Sequence, residues 1–233
     1  MRPSLLVLAL LVVVTAWPAS ARADAHTTTG FQIQADGVMF SPMGELVSQH
    51  RTSMSDLFAD GGGFDLTLSL GVTPHWLVAL TTGYTRSTKE GTYSFGDVAI
   101  EPGRTVALGS GPYTIRRELR LLPVLAELQY RRHLAGALEW GANVGAGVLS
   151  TTDNMQLRSR TGNGTLVDIS GYQGDPAWSA GLSLAYRIPG NCDLVGSARY
   201  LGTVAGTGAV WVKDDDPGFA NWTLGLRYPH DTR

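Results

Sequence analysis

The chain has 233 residues, with 18 Lys and Arg against 20 Asp and Glu, a formal net charge of −2. That balance leaves no basic field for nucleic acid, and the single cysteine, Cys192, excludes an internal disulfide. Nothing along the chain reads as a linker, so the bulk of it is expected to form one domain.

The N-terminus carries a basic start at Arg2, an unbroken apolar run from Leu5 to Val14, and the small-residue stretch Ala19-Ser20-Ala21-Arg22-Ala23. This pattern predicts a secretory signal peptide over residues 1–23, with Ala21 as the alternative cleavage point. Its apolar run is roughly 10 residues, about half of what a spanning helix needs. No cysteine stands at the cleavage site to carry a lipid. Removing Arg2 and Arg22 brings the mature chain, residues 24–233, to a charge of about −4. No later segment approaches the run of about 18 apolar residues that a helical membrane span requires.

Beyond the signal, apolar residues alternate with polar or small ones, the period of a strand with two unlike faces. The first such segment, Phe31 to Phe40, puts Phe31, Ile33, Ala35 and Met39 on its apolar side. The second is the clearest, with Phe64, Leu66, Leu68, Leu70 and Val72 set against Asp65, Thr67, Ser69 and Gly71. Then follow Trp76, Val78, Leu80 and Tyr84; Leu122, Val124, Ala126, Leu128 and Tyr130; and Leu138, Trp140, Ala142, Val144, Ala146 and Val148. The last three segments are carried by Trp178, Ala180, Leu182, Leu184 and Tyr186; by Leu194, Ala198 and Tyr200; and by Trp222, Leu224, Leu226 and Tyr228. Eight strands are the smallest even number common in outer-membrane barrels.

The connections alternate strictly in length. Tight turns are expected at 73–75, 133–136 and 188–192, and long polar loops at 42–62, 86–117, 151–176 and 203–219. The pattern predicts an all-β, eight-stranded antiparallel up-and-down transmembrane β-barrel with short periplasmic turns and long extracellular loops. Aromatic residues fall into two girdles, as amphipathic rings do at a membrane interface. Phe31, Trp76, Tyr130, Trp140, Tyr186 and Tyr228 lie near the short turns, and Phe64, Tyr84, Trp178, Tyr200 and Trp222 near the long loops. A soluble secreted sandwich or lipocalin-like barrel also alternates, but its polar face would carry many Lys and Glu. Here that face is small, as in Gly141, Asn143, Gly145 and Gly147, and in Ser179, Gly181, Ser183 and Ala185, which suits a narrow lumen.

The stretches Leu122-Pro123-Val124-Leu125-Ala126-Glu127-Leu128-Gln129-Tyr130-Arg131 and Gly141-Ala142-Asn143-Val144-Gly145-Ala146-Gly147 carry a resemblance. The mature chain resembles the broad group of small outer-membrane barrels that includes the OmpA transmembrane domain, OmpX and OmpW. The resemblance implies placement in a Gram-negative outer membrane among lipids and lipopolysaccharide, and insertion by the barrel assembly machinery. That machinery reads a terminal aromatic residue in such proteins, whereas Tyr228 here is followed by Pro229-His230-Asp231-Thr232-Arg233. It also implies, through OmpW, a narrow channel for small or hydrophobic solutes as the alternative to a structural or surface-interaction role.

On the inward parity lie Asp36, Asp65, Glu127, Arg131, Glu139, Arg187, Arg199 and Arg227, four acids balancing four bases. Charges in a narrow interior must be paired or hydrated, so a polar plug is expected over a gate, with Arg131 and Glu139 meeting across their tight turn and Glu127 and Glu139 held by Arg131 and neighbouring Arg187 or Arg227. Catalysis is not expected. Lipid A deacylases and the palmitoyltransferase of this shape use a histidine near the outer leaflet, and here only His50, beside Ser48 and Ser53, lies on that side, with no strand to hold it in register. The histidine spacing predicts neither metal nor cofactor. Lys213-Asp214-Asp215-Asp216 is read as a solvated acidic tip in preference to a cation site. Two outer hairpins are expected, one around Pro102-Gly103 (92–110) and one around 161–164 (155–170); their surface ligand is not specified by the sequence.

Overall fold

The computed structural model describes residues 30–46, 52–93, 97–101, 104–107, 113–159, 165–189, 192–204 and 217–230. The expected signal peptide, His50 and the Lys213–Asp216 tip lie outside the described residues. Eight long strands form one closed sheet: β1 (Phe31–Met43), β2 (Gly61–Gly71), β3 (Trp76–Tyr93), β4 (Tyr113–Ala135), β5 (Leu138–Ser159), β6 (Thr165–Ile188), β7 (Cys192–Thr203) and β8 (Gly218–His230). Each pairs antiparallel with its neighbours in the chain, and β1 closes the barrel on β8, from Phe31 opposite His230 to Met43 opposite Gly218.

The alternation in sequence is the alternation of faces. Met39, Leu66, Val78, Val124, Val144, Leu182, Leu194 and Leu224 are exposed on the outer wall, while their chain neighbours Asp65, Ala79, Leu125, Asp193 and Thr223 are buried in the lumen. The aromatic residues of the outer wall form two rows. At the short-turn end Trp76 and Tyr130 pack edge-on at 5.1 Å, and Tyr130 lies 5.6 Å from Trp140. At the other end Phe64 lies 6.5 Å from Tyr84, and Trp178 lies 5.3 Å from Tyr200. These upper rings cover glycines of the next strand: a Cβ on Gly202 would stand 2.7 Å from the Trp178 ring, and one on Gly218 would strike Tyr200. Removing a side chain from the neighbour is what lets each ring lie flat against the wall.

Several boundaries differ from those expected. Most of 86–117 and 151–176 is strand, with β3 and β4 paired up to Tyr93 opposite Tyr113, and β5 and β6 up to Arg158 opposite Thr165. β4 has 23 residues and β6 has 24, against the 9–11 or so that cross a bilayer, so these strands continue well above the apolar belt. Backbone groups need ladder partners wherever the chain runs, whereas apolar outward residues are needed only against lipid. Polar outward residues such as Thr88, Arg116 and Asn154 thus hid a strand. The hairpin expected over 155–170 is the continuous top of β5 and β6, and the one over 92–110 narrows to Asp97–Glu101 paired with Arg104–Ala107. The turn expected at 133–136 sits at Gly136–Ala137, where Gly136 has φ +54° and a register shift occurs between His133 and Ala135. Between β1 and β2, a two-residue ladder (Glu45–Leu46 with Thr52–Ser53) leads into the short helix α1 (Met54–Leu57).

The apolar core lies inside the upper half of the barrel, which alternation alone did not reveal. Phe40, Leu119, Leu121, Leu125, Leu149, Ala177, Leu201 and Phe219 point inward and meet Met54 and Phe58 from α1 and its C-terminal flank. The sequence signal was present in Leu121-Leu122 and Val124-Leu125, where both faces of one strand are apolar.

Candidate functional site

The lower half of the lumen is a packed charge network, and glycines make the room for it. A Cβ on Gly83 would overlap a carboxylate oxygen of Asp65, one on Gly225 would overlap that of Asp36, and one on Gly145 would stand 2.8 Å from Cγ of Glu127. Each inward acid occupies the volume its neighbouring strand gives up, so the small residues of this face and its charged residues are one design.

In the layer nearest the short turns, Arg227 joins two carboxylates: its Nη2 donates to Glu139 Oε1 and to Asp193 Oδ2, both at 2.7 Å. Arg187, half-exposed at the rim, donates from Nε to Asp193 Oδ1 at 2.7 Å. One layer higher, Arg199 donates to Asp65 and, at 3.4 Å, to Glu127. Gln129 connects the layers, donating to Glu127 at 3.1 Å and accepting from Arg131 at 2.6 Å, while Arg131 also donates to Gln32. Asp36 accepts from Gln34 at 2.9 Å. Between these groups lies a cavity of about 50 Å³ lined by Asp36, Asp65, Glu127, Arg131, Arg199 and Arg227, room for a few waters at about 10–15 Å³ each and far from a pore.

All eight inward charges read from the sequence stand on the lumen side of their strands, and Glu139 meets Arg227 as expected, but the other pairings differ. Arg131 does not pair with Glu139: it is held by two amides, and Glu139 belongs to Arg227. The lower layer also contains Asp193, which the turn assignment at 188–192 obscured. With it this lower network holds five acids against four arginines. Its inward position follows from the outward parity of Leu194, a signal available in the sequence.

The mouth is closed differently. Arg117 and Asp153 pair inside the barrel at 2.5 Å, and the Arg117 guanidinium lies 4.6 Å over the Phe58 ring. Lys89 donates to the carbonyls of Ser55 and Asp56 at 2.8 and 2.7 Å, and the Met54 amide donates to the Gly44 carbonyl at 3.0 Å. Lys89 of β3, Arg117 of β4 and Gly44 just past the end of β1 therefore pin α1 and Phe58 over the apolar core.

On the outer wall above the upper aromatic row, Glu118 accepts from Arg120 at 2.5 Å and from Arg86 at 2.7 Å. Its partial burial pushes its pKa up, and the hydrogen bonds from Arg120 and then Arg86 outweigh that and hold it below the ordinary glutamate range. A lowered carboxylate pKa adds stability above the unfolded-state value, and that contribution is lost as pH falls through the folded one. Carboxyl-carbon NMR of the refolded protein is expected to show Glu118 titrating below the exposed glutamates; titration at or above them would break the pairing.

Two of the histidines lie at the short-turn end. His75 sits at the β2–β3 turn, with Nδ1 3.2 Å from the Arg131 carbonyl, and His133 is at the bulge of β4, 3.7 Å from Glu139. Among the described residues no three His, Cys, Asp or Glu side chains converge to hold a metal.

No protein-family profile matches the chain, and no curated protein matches it in sequence. Solved structures do match. The outer membrane protein OprG from Pseudomonas aeruginosa is 14% identical over 88% of this chain and 97% of its own, with a TM-score of 0.49. Ail, the attachment invasion locus protein of Yersinia pestis, is 16% identical over 86% and 99%, with a TM-score of 0.46. The outer membrane protease OmpT from Escherichia coli is 12% identical over 91% and 100%, with a TM-score of 0.44. The chain itself is a closed eight-stranded antiparallel barrel, apolar outside and charged within, and the solved structures it resembles are barrels of bacterial outer membranes.

Proposed function

We propose that the protein is a non-enzymatic outer-membrane barrel that serves envelope integrity or surface interaction, with its lumen permanently filled. The observation that carries this reading is the stacking of two unlike plugs, a charge network below and an apolar core capped by Phe58 above. Either one fills an interior that eight strands leave just wide enough for side chains. Placement in a membrane is supported by the exposed apolar belt between two aromatic rows. A surface role is supported by the tall β3–β6 wall. Its β3 margin above Arg86 and its β6 margin above Pro176 have no ladder partner on the open side among the described residues.

The runner-up, a narrow conduit, draws on the small polar cavity amid the charges, and it requires both plugs to rearrange. Refolded mature protein in planar bilayers is expected to give no steps above baseline at neutral pH. Regular steps would promote the conduit reading, and a stable β-rich monomer in detergent-free buffer would remove the protein from the membrane altogether.

A further inference from the structure

The outer wall changes character at one height. Below the upper aromatic row its outward positions are apolar, as in Leu122, Val124 and Val148, whereas above it four carry arginine: Arg86 on β3, Arg116 and Arg120 on β4, and Arg158 on β5. Arg86 and Arg120 stand directly opposite each other, two residues beyond Tyr84 and Leu122, and are 47% and 44% exposed. Like charges in register repel, and one carboxylate, Glu118, is shared between them. Arg116 makes no hydrogen bond or ion pair among the described residues, and Arg158 donates only to neutral Gln156 at 3.1 Å. The other acids on this face are Glu90, opposite Arg116, and Asp168, which accepts from Gln156 at 3.3 Å. A shallow depression joins Arg116, Arg120 and Arg158.

We propose that this face binds the headgroup of an outer-leaflet glycolipid bearing more than one phosphate. The inference rests on the outer-membrane placement and not on whether the lumen conducts. Two residues of strand rise about 7 Å, which sets Arg86 and Arg120 just outside the aromatic interface, at the depth of lipid phosphates. Arg116 follows four residues on, about 13 Å along the strand. One phosphate cannot bridge that span, and a sugar headgroup carrying several anionic groups can. Guanidinium groups present the fork that grips phosphate oxygens in pairs. Glu118 leaves donors of Arg86 and Arg120 available while fixing where they point.

The test uses the refolded mature protein in detergent micelles and measures affinity for bis-phosphorylated lipid A, dephosphorylated lipid A and inorganic phosphate by thermophoresis. Replacing all four arginines with glutamine is expected to weaken binding of the phosphorylated lipid about tenfold or more, while R116K with R158K, which keeps the charge and loses the fork, weakens it less, and heat-modified gel mobility is unchanged throughout. Dephosphorylation of the lipid is expected to produce a comparable loss, and inorganic phosphate at matched phosphate concentration is expected not to compete. Equal affinity of the glutamine variant and the parent, or of the two lipids, overturns the proposal. Competition by inorganic phosphate overturns the lipid assignment and leaves a free-anion site.

Discussion

Replacing Arg227 with Met is expected to destabilise the folded barrel by about 3–5 kcal/mol, the usual result of stranding buried charge. Among the described residues Arg227 is the only arginine paired with Glu139, and it shares Asp193 with Arg187, so its loss leaves one carboxylate with no described arginine and another with a rim partner alone. Glu139→Ala should cost less. Arg227 keeps Asp193. Urea unfolding in lipid vesicles, read by gel mobility, ranks the two. If Glu139→Ala costs as much as Arg227→Met, Arg227 is not the hub. A large current with unchanged stability in either variant overturns the plug reading in favour of the conduit.

Phe58→Ala is the second large effect, about 3–5 kcal/mol if the mouth behaves like a protein core. Phe58 is buried against the inward leucines and under Arg117, so truncating it leaves a cavity among them. Because the charge layer below is untouched, current through Phe58→Ala should stay at baseline. Only the double change, Phe58→Ala with Arg227→Met, is expected to conduct. Conductance in the single Phe58 variant would show that the charge layer is no barrier and that the cap alone closes the barrel.

The outer wall was legible because lipid imposes a rule on it: every residue facing the belt must be apolar, so strict parity from Phe64 to Leu70 or from Trp222 to Tyr228 identifies both strand and face. The lumen obeys no such rule. Leu121, Leu125 and Leu149 point inward beside Glu127, and only the three-dimensional arrival of Met54 and Phe58 explains why apolar residues belong there. That arrival depends on contacts such as Lys89 to Ser55, 34 positions apart, which no local pattern encodes. The expected Arg131–Glu139 pair failed for a related reason. Arg131 and Glu139 are close in sequence, but the bulge at His133 and the reach of Arg227 from β8 decide which carboxylate meets which arginine.

Seven of the eight ladders join strands that follow one another, and each closes a loop of modest length. The β1–β8 ladder alone joins Phe31 to His230, across nearly the whole described chain. Loop-closure entropy and contact order set such a pairing last in time, so hairpins are expected to assemble in sequence and leave an open, curled sheet with two long unsatisfied edges until the seam forms. Gly225, which makes room there for Asp36, lies on that seam, so a side chain at this position is expected to slow the final step of insertion more than it slows the formation of any hairpin.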